Sequence, residues 1–313
     1  MNRPIAIAFT AACACASAFA APSAYVPNEG SATISVVDTA SDRVSATLKV
    51  GGKPRGIAVS IDGARLFVSD QKANAVVVHD LAKGTEIARV AVGDSPEAVY
   101  LSPDGRWLAV AVEENDLVAL IDTATLAVTR RIKMKGKNPE HSVWSPDGKW
   151  LYVSAENADS VDVVDVAAGE VVASIVVGER PRGIAFTPDG KRAYVAAENA
   201  NQIAVIDVGR REVITQIKAG LRSNGVTMNP DGKSVYVSSG GDASVQVVDT
   251  ATNTIVERIG VGKRPWNMAI TPDGSKLYVA CGRSNQLAVI DTKSRKKTAD
   301  VEVGELPWGV AIR

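Results

Sequence analysis

The chain has 313 residues, 46% hydrophobic and 5% aromatic, with 26 Gly and 14 Pro, and its 35 Lys and Arg balance 35 Asp and Glu. That composition excludes a disordered tail, a collagen and a coiled coil. A formal net charge of zero also argues against a protein whose main task is to grip duplex nucleic acid through bulk charge.

In chain order, the first twenty residues read as a secretory signal peptide. Arg3 supplies one positive charge, Ile5 to Ala16 is apolar and uncharged, and Ala18-Phe19-Ala20 is a small-x-small cleavage site before Ala21. The apolar run is shorter than the about 20 residues of a spanning helix. Lipid attachment at Cys13 or Cys15 is disfavoured, because the run before Cys13 is short. No other stretch is long and apolar enough to cross a bilayer. Residues 21–313 are therefore expected as one exported domain, periplasmic or secreted, without a membrane span. One Cys remains, Cys281, and a lone Cys forms no internal disulfide.

Internal repetition dominates the rest. The turn Pro-Asp-Gly places its Gly at 63 (here Ile-Asp-Gly), 105, 148, 190, 232 and 274, at spacings of 42 or 43. A Pro column follows at Pro54, Pro96, Pro139, Pro181, Pro265 and Pro307, with Ser223 in its one gap. An Asp closes an apolar run at Asp38, Asp80, Asp122, Asp165, Asp207, Asp249 and Asp291. Asp at such a position hydrogen-bonds the backbone of the following turn, so this column is read as structural. Residues 21–313 are one residue short of seven times 42, which leaves no second domain.

Each repeat predicts four short strands. In one copy these are Gly183 to Thr187, Arg192 to Ala197, Ile203 to Val208 and Val213 to Lys218. The third strand is almost wholly apolar, so both of its faces are buried. A sheet sandwiched between two like sheets is the blade of a β-propeller. The N-terminus enters at Tyr25-Val26, aligned with the second strand of a repeat (Tyr194-Val195), and the C-terminus stops where a first strand ends. Residues 306–312 are therefore expected to complete the three strands of residues 25–50. The expected fold is all-β: a seven-bladed propeller of four-stranded blades, closed by 3+1 pairing of the chain ends.

The copies at Leu151-Tyr152-Val153-Ser154-Ala155-Glu156-Asn157 and Val245 to Asp249, with Pro-Asp-Gly-Lys and Val-Gly-x-x-Pro-x-Gly turns, resemble the YVTN-family propeller repeat over the whole mature chain. The resemblance implies a seven-bladed, usually exported propeller. It also implies a scattered set of functions. Some relatives accompany pyrroloquinoline-quinone-dependent alcohol oxidation, one enterobacterial relative binds single-stranded DNA, and others sit in surface layers. Fold does not fix function.

Function is sought where the repeat symmetry breaks. The loops between repeats open onto one face, at the mouth of the central channel. The residue after the Pro column reads Arg55, Glu97, Glu140, Arg182, Asn224, Trp266, Trp308. The next column is small in five repeats and broken by His141 and Asn267. Ring order places Trp266, Trp308 and Arg55 consecutively, then Glu97, Glu140 and His141, with Arg182 beyond. The expectation is a mouth with an aromatic–cationic side and an acidic–imidazole side. Two Trp offer a planar ligand a stacking platform, and Arg55 a partner for carboxylate or phosphate; the competing reading packs each Trp over a neighbouring turn.

Glu140 and His141 form the one acid–base pair in view, and a lone His more often serves structure than catalysis. His79 reads as a hydrogen-bonded interior His. Two His and one Cys exclude a His-rich or thiolate metal centre. Asp70, Glu113, Glu156 and Glu198 are read as solvated rim charges, with Ca²⁺ ligation as the alternative. No catalytic residue and no cofactor are assigned. The leading expectation is a non-enzymatic binding propeller, expected as a monomer. It would take a small molecule or a protein at the mouth, such as a periplasmic dehydrogenase or transporter component. The alternatives are single-stranded nucleic-acid binding, aided by eight basic residues in these loops and base stacking, and a lactonase or lyase.

Overall fold

The computed structural model describes residues 22–313; the expected signal peptide, with Cys13 and Cys15, lies outside them. Seven four-stranded antiparallel sheets are arranged as a seven-bladed propeller. Blades one to six each run in sequence order from the channel outward: residues 54–91, 96–133, 139–176, 181–218, 223–260 and 265–302. Among the described residues no helix is long and apolar enough to cross a membrane.

The strand assignments follow from burial. In blade four the third strand, Gln202–Asp207, has Ile203, Ala204, Val205 and Ile206 at 0% exposure, so both of its faces are covered. The outermost strand, Glu212–Lys218, alternates and buries only Ile217. All seven strand-closing aspartates accept a backbone N–H from the turn they begin: Ser41, Lys83, Thr125, Ala168, Arg210, Thr252 and Ser294 are among the donors. Those bonds hold the Asp38, Asp80, Asp122 and Asp249 carboxyls below the usual range, and the Ser294 hydroxyl together with its N–H does the same for Asp291.

Adjacent blades meet most closely at their innermost strands. A Cβ on Gly56 would collide with the Glu97 carbonyl, and one on Gly225 with that of Trp266. The gap is bridged by hydroxyls. Ser69 Oγ donates to the Glu97 carbonyl at 2.6 Å, and Ser238 Oγ donates to that of Trp266 at 2.6 Å. This explains the column of small residues next to the Pro column. Further out, Arg65 reaches the Thr123 carbonyl (2.8 Å), Arg192 that of Thr250 (2.6 Å) and Lys276 that of Thr39 (2.8 Å), each one blade on.

The seventh blade is made by both ends of the chain. Its order is Ala311–Ile312, Ser23–Asn28, Thr33–Asp38 and Arg43–Lys49. Ala24 pairs with Ile312 and Tyr25 with Ala311, while Pro307 bridges Asn28. The first N-terminal strand starts at Ser23 rather than Tyr25, because Ser23 and Arg313 exchange backbone hydrogen bonds of 2.7 and 3.0 Å. The C-terminal strand is shorter than the expected 306–312. Like the other inner strands, it breaks register after its Pro, as between Pro181 and Ile184.

Deleting residues 306–313 removes four backbone hydrogen bonds to Ser23, Pro27 and Glu29, each worth about 1 kcal/mol. A domain of this size shifts by about 2–4 °C per kcal/mol, so the truncated chain should melt roughly 8–16 °C lower, with exposed sheet edges driving association. Calorimetry and light scattering check this; a monomer with the parental Tm contradicts it.

Candidate functional site

Pro at the head of each inner strand starts a short break in the ladder. In blade three the register slips between Pro139 and Ser142. The two residues in the slip, Glu140 and His141, are thereby released from regular pairing at the channel mouth. The same device presents Arg55, Arg182 and Trp266 in their blades. Together with Glu29, Lys53, Gln71, Glu113, Glu156, Arg180, Asn224, Arg264, Asn267 and Trp308, they line one cavity of about 320 Å³.

Charge in this cavity is divided into arcs. Arg55 bonds Glu29 (2.9 Å) on blade seven and Glu97 (2.5 Å) on blade two. Arg182 bonds Glu140, Glu156 (2.9 Å) and Glu198 (2.9 Å). Glu198, fully buried, also draws Arg264 (3.0 Å), Arg180 (3.5 Å) and Arg222 (3.7 Å). Burial works to raise its pKa, but these guanidiniums, led by Arg182, win and lower it. Blades two and three carry the opposite excess: one oxygen each of Glu113, Glu140 and Glu156 lie within 4.8 Å of one another. Glu97 stands beside them at 0% exposure. Burial, against the pull of Arg55, pushes its pKa up to about 7. Its Oε1 takes Arg55 and Gln71, and its Oε2 is buried without a partner.

The cavity has a floor. The His141 ring stacks on Trp308 across the channel, with centroids 6.1 Å apart and planes 15° from parallel. Its Nδ1 meets the Tyr100 hydroxyl at 2.6 Å. Below this plug lies a second cavity of about 360 Å³ walled by Tyr100, Trp144, Phe186, Met228 and Val310 among others. The plug makes the mouth a blind pocket. Burial depresses the His141 pKa to about 4, so the ring is neutral at physiological pH.

The structure thus gathers Trp266, Trp308, Arg55, Asn267, Arg182, Glu140 and His141 around one cavity, with Glu97 buried directly behind Arg55. It does not stack the two indoles on each other. Trp308 lies on His141, while Trp266 packs over Gly282 under Arg264. The expected separation of an aromatic side from an imidazole side is therefore absent, because those two rings meet mid-channel. Glu140 and His141 also take different partners, Arg182 and Tyr100.

Two further expectations are corrected. Three of the four second-strand carboxylates are not solvated rim charges: Asp70, Glu156 and Glu198 are 2, 9 and 0% exposed, while Glu113 stays partly exposed. Their loops fold over the mouth, where Asp70 accepts the Lys53 N–H (2.9 Å) and the glutamates meet arginines. His79 is interior but not hydrogen-bonded; both ring nitrogens are buried without partners, and burial lowers its pKa. Cys281 is fully buried and its thiol is pushed up to about 11, which keeps it unreactive. Tyr100 and Glu29 escaped the sequence reading. Tyr100 was detectable, since its column otherwise holds Ala58, Val143, Ala185, Thr227, Ala269 and Ala311.

Residues 171–305 match a family described as "Lactonase, 7-bladed beta-propeller", and residues 61–164 match a "YNCE-like beta-propeller". No curated protein sequence matches the chain. Among solved structures it is similar to hydrazine synthase of Kuenenia stuttgartiensis, at 26% identity and TM-score 0.79, over 86% of this chain and 92% of that one. A protein of unknown function from Desulfotomaculum acetoxidans DSM 771 aligns at 19% identity and TM-score 0.82, over 93% and 98%. The dihydro-heme d1 dehydrogenase NirN aligns at 18% identity and TM-score 0.69, over 92% and 74%. The last two likenesses are of fold alone.

A His held neutral in the fold binds its proton more readily when unfolded. The stability that its burial supplies is present above pH 6.5 and is lost as pH falls towards 4. The shift from 6.5 to about 4 corresponds to roughly 3 kcal/mol. Urea unfolding at pH 7 and 4.5 should therefore show the parent losing about 2–3 kcal/mol more than His141→Gln; equal losses contradict a buried neutral imidazole.

Proposed function

We propose that this chain is an exported binding propeller that seats a small polar molecule in the blind pocket at its channel mouth. One observation carries the reading: a cavity of about 320 Å³ lined by Arg180, Arg182, Arg264, Asn267 and Trp266, stopped below by the His141–Trp308 stack. Its size is that of a small-ligand site. Four guanidiniums converge near the single carboxylate of Glu198, and guanidiniums recognise carboxylate and phosphate through paired N–H donors. An anionic group on the ligand belongs on that arc. Trp266, held between Gly282 and Arg264, adds apolar surface to the cavity wall.

Binding is favoured over catalysis because each partner of the expected acid–base pair is otherwise engaged. Glu140 is held by Arg182, and neutral His141 by Tyr100 and Trp308. Glu29, Glu97, Glu113, Glu140, Glu156 and Glu198 at the mouth oppose a phosphate strand, whose binding rests on net positive contacts. The match of residues 171–305 to a lactonase family favours a second reading, lactone hydrolysis. That stretch contributes Arg180, Arg182, Arg222, Arg264 and Trp266, so the two readings share an anion-binding wall.

A thermal-shift panel of small carboxylates and phosphorylated sugars should yield ligands that stabilise the parent protein. Trp266→Ala and Arg264→Ala should each weaken them at least tenfold while leaving the unliganded fold intact. Ligands that bind both variants as tightly as the parent remove the site. Turnover of a simple lactone that is lost in His141→Gln would instead select the hydrolytic reading.

A further inference from the structure

Beneath the His141–Trp308 stack the channel widens again, into the chamber of about 360 Å³ that the mouth does not reach. Its far end is lined by Pro146, in the turn between the first and second strands of blade three, so it opens on the face opposite the mouth. We propose that this chamber is a second binding site, independent of the first, for a small uncharged bicyclic aromatic molecule carrying one polar group on its rim.

The repeat symmetry breaks here as it does above. The last residue of the inner strand is Trp144, Phe186 and Met228 on blades three, four and five, and Val, Leu or Ile on the other four. One position earlier in its strand, blade two carries Tyr100. Four consecutive blades thus give the chamber lining an arc of three aromatic side chains and a thioether. Aromatic rings pack offset or edge-to-face on one another, and sulfur packs on ring edges, so this arc suits a flat π system better than a flexible alkyl chain. Among the described residues no Lys, Arg, Asp or Glu lines the chamber. Stripping an unpaired charge of its water there is costly, so the ligand is uncharged.

The arc is held in place before a ligand arrives. Trp144 Nε1 donates to the Tyr100 carbonyl (3.0 Å), and the Tyr100 hydroxyl meets His141 Nδ1 (2.6 Å). Phe186 stands edge-on to Tyr152, with centroids 4.9 Å apart and planes 70° to each other. Walls fixed in this way lower the ordering cost of binding. A cavity of about 150 Å³ lined by Leu, Ile and Phe takes one benzene, so this chamber admits two fused rings. The polar rim group has partners as well. Each inner strand is the end strand of its sheet, and an edge strand leaves backbone N–H and C=O groups unpaired; these face the channel.

The full chain is titrated with 2-naphthol at pH 7 by calorimetry, with 1-hexanol as a flexible apolar comparison. The expected result is one saturable site for 2-naphthol, with 1-hexanol at least tenfold weaker. Affinity should fall at least tenfold in Val226→Phe, which fills the chamber from a half-buried wall position. It should fall at least threefold in Phe186→Leu, which keeps an apolar wall without the ring. It should be unchanged in Trp266→Ala and Arg264→Ala at the mouth, so the two sites are tested separately. Absence of saturable binding by the parent overturns the proposal. So does 1-hexanol binding as tightly as 2-naphthol, or parental affinity in whichever of the two chamber variants melts as the parent does.

Discussion

Everything at the mouth depends on the antiparallel pairing of Ala24 and Tyr25 with Ile312 and Ala311. A propeller blade is an open sheet, and its apolar faces stay dry only when a neighbour stands on both sides. With the ends joined, every blade has two neighbours and the inner edge of the Ser23–Asn28 strand is paired rather than left open. Blade six then packs on blade seven through Leu287, Val289, Tyr278 and Val26. Lys276 and Tyr278 reach the Asp42 carboxylate of blade seven. The closing segment also carries Trp308, so the residues that fasten the ring supply half of the plug in its channel.

The mouth is a different kind of structure from the rest. Elsewhere the chain buries mainly Val, Ile, Ala and Tyr; here it buries Glu97, Glu140 and Glu198 against partly exposed arginines. Charges removed from water are tolerated only in pairs or networks. The Arg–Glu pairs run from blade to blade: Glu29 to Arg55 to Glu97, and Glu140 to Arg182 to Glu198. Such a network fixes side chains in place before any ligand arrives, which lowers the ordering cost of binding. It is unevenly filled, with guanidiniums in excess around Glu198 and carboxylates in excess around Glu113. The binding reading proposed above rests on that unevenness.

Repetition explains how much of this was legible. Seven copies average out local ambiguity, so the strands within the repeats and the closing aspartates could be read within about two residues, whereas the C-terminal strand begins at Ala311, five residues later than expected. Symmetry breaking found Tyr100's neighbours at the mouth as well, since Glu140, His141, Trp266 and Trp308 each depart from a column. It failed for Glu29, which stands in the single N-terminal repeat with no first strand before it in sequence. It also failed for Glu113, Glu156 and Glu198, whose column has an acidic residue in several copies and so reads as ordinary surface. The burial of Glu156 and Glu198 comes from the second-strand loops leaning inward over the mouth, a tertiary effect that spacing does not encode.

Seven blades, their strand order, their closure and part of the residue set at one orifice follow from the amino-acid sequence alone. Those features rest on period, apolar patterning and turn chemistry, which act within a repeat or between successive ones. Only the tertiary structure decided which residues touch. His141 meets Trp308 across the channel although they belong to blades three and seven, and Glu198 gathers arginines from three consecutive blades. Contacts across a closed ring depend on side-chain reach and desolvation at its centre, where all seven repeats converge.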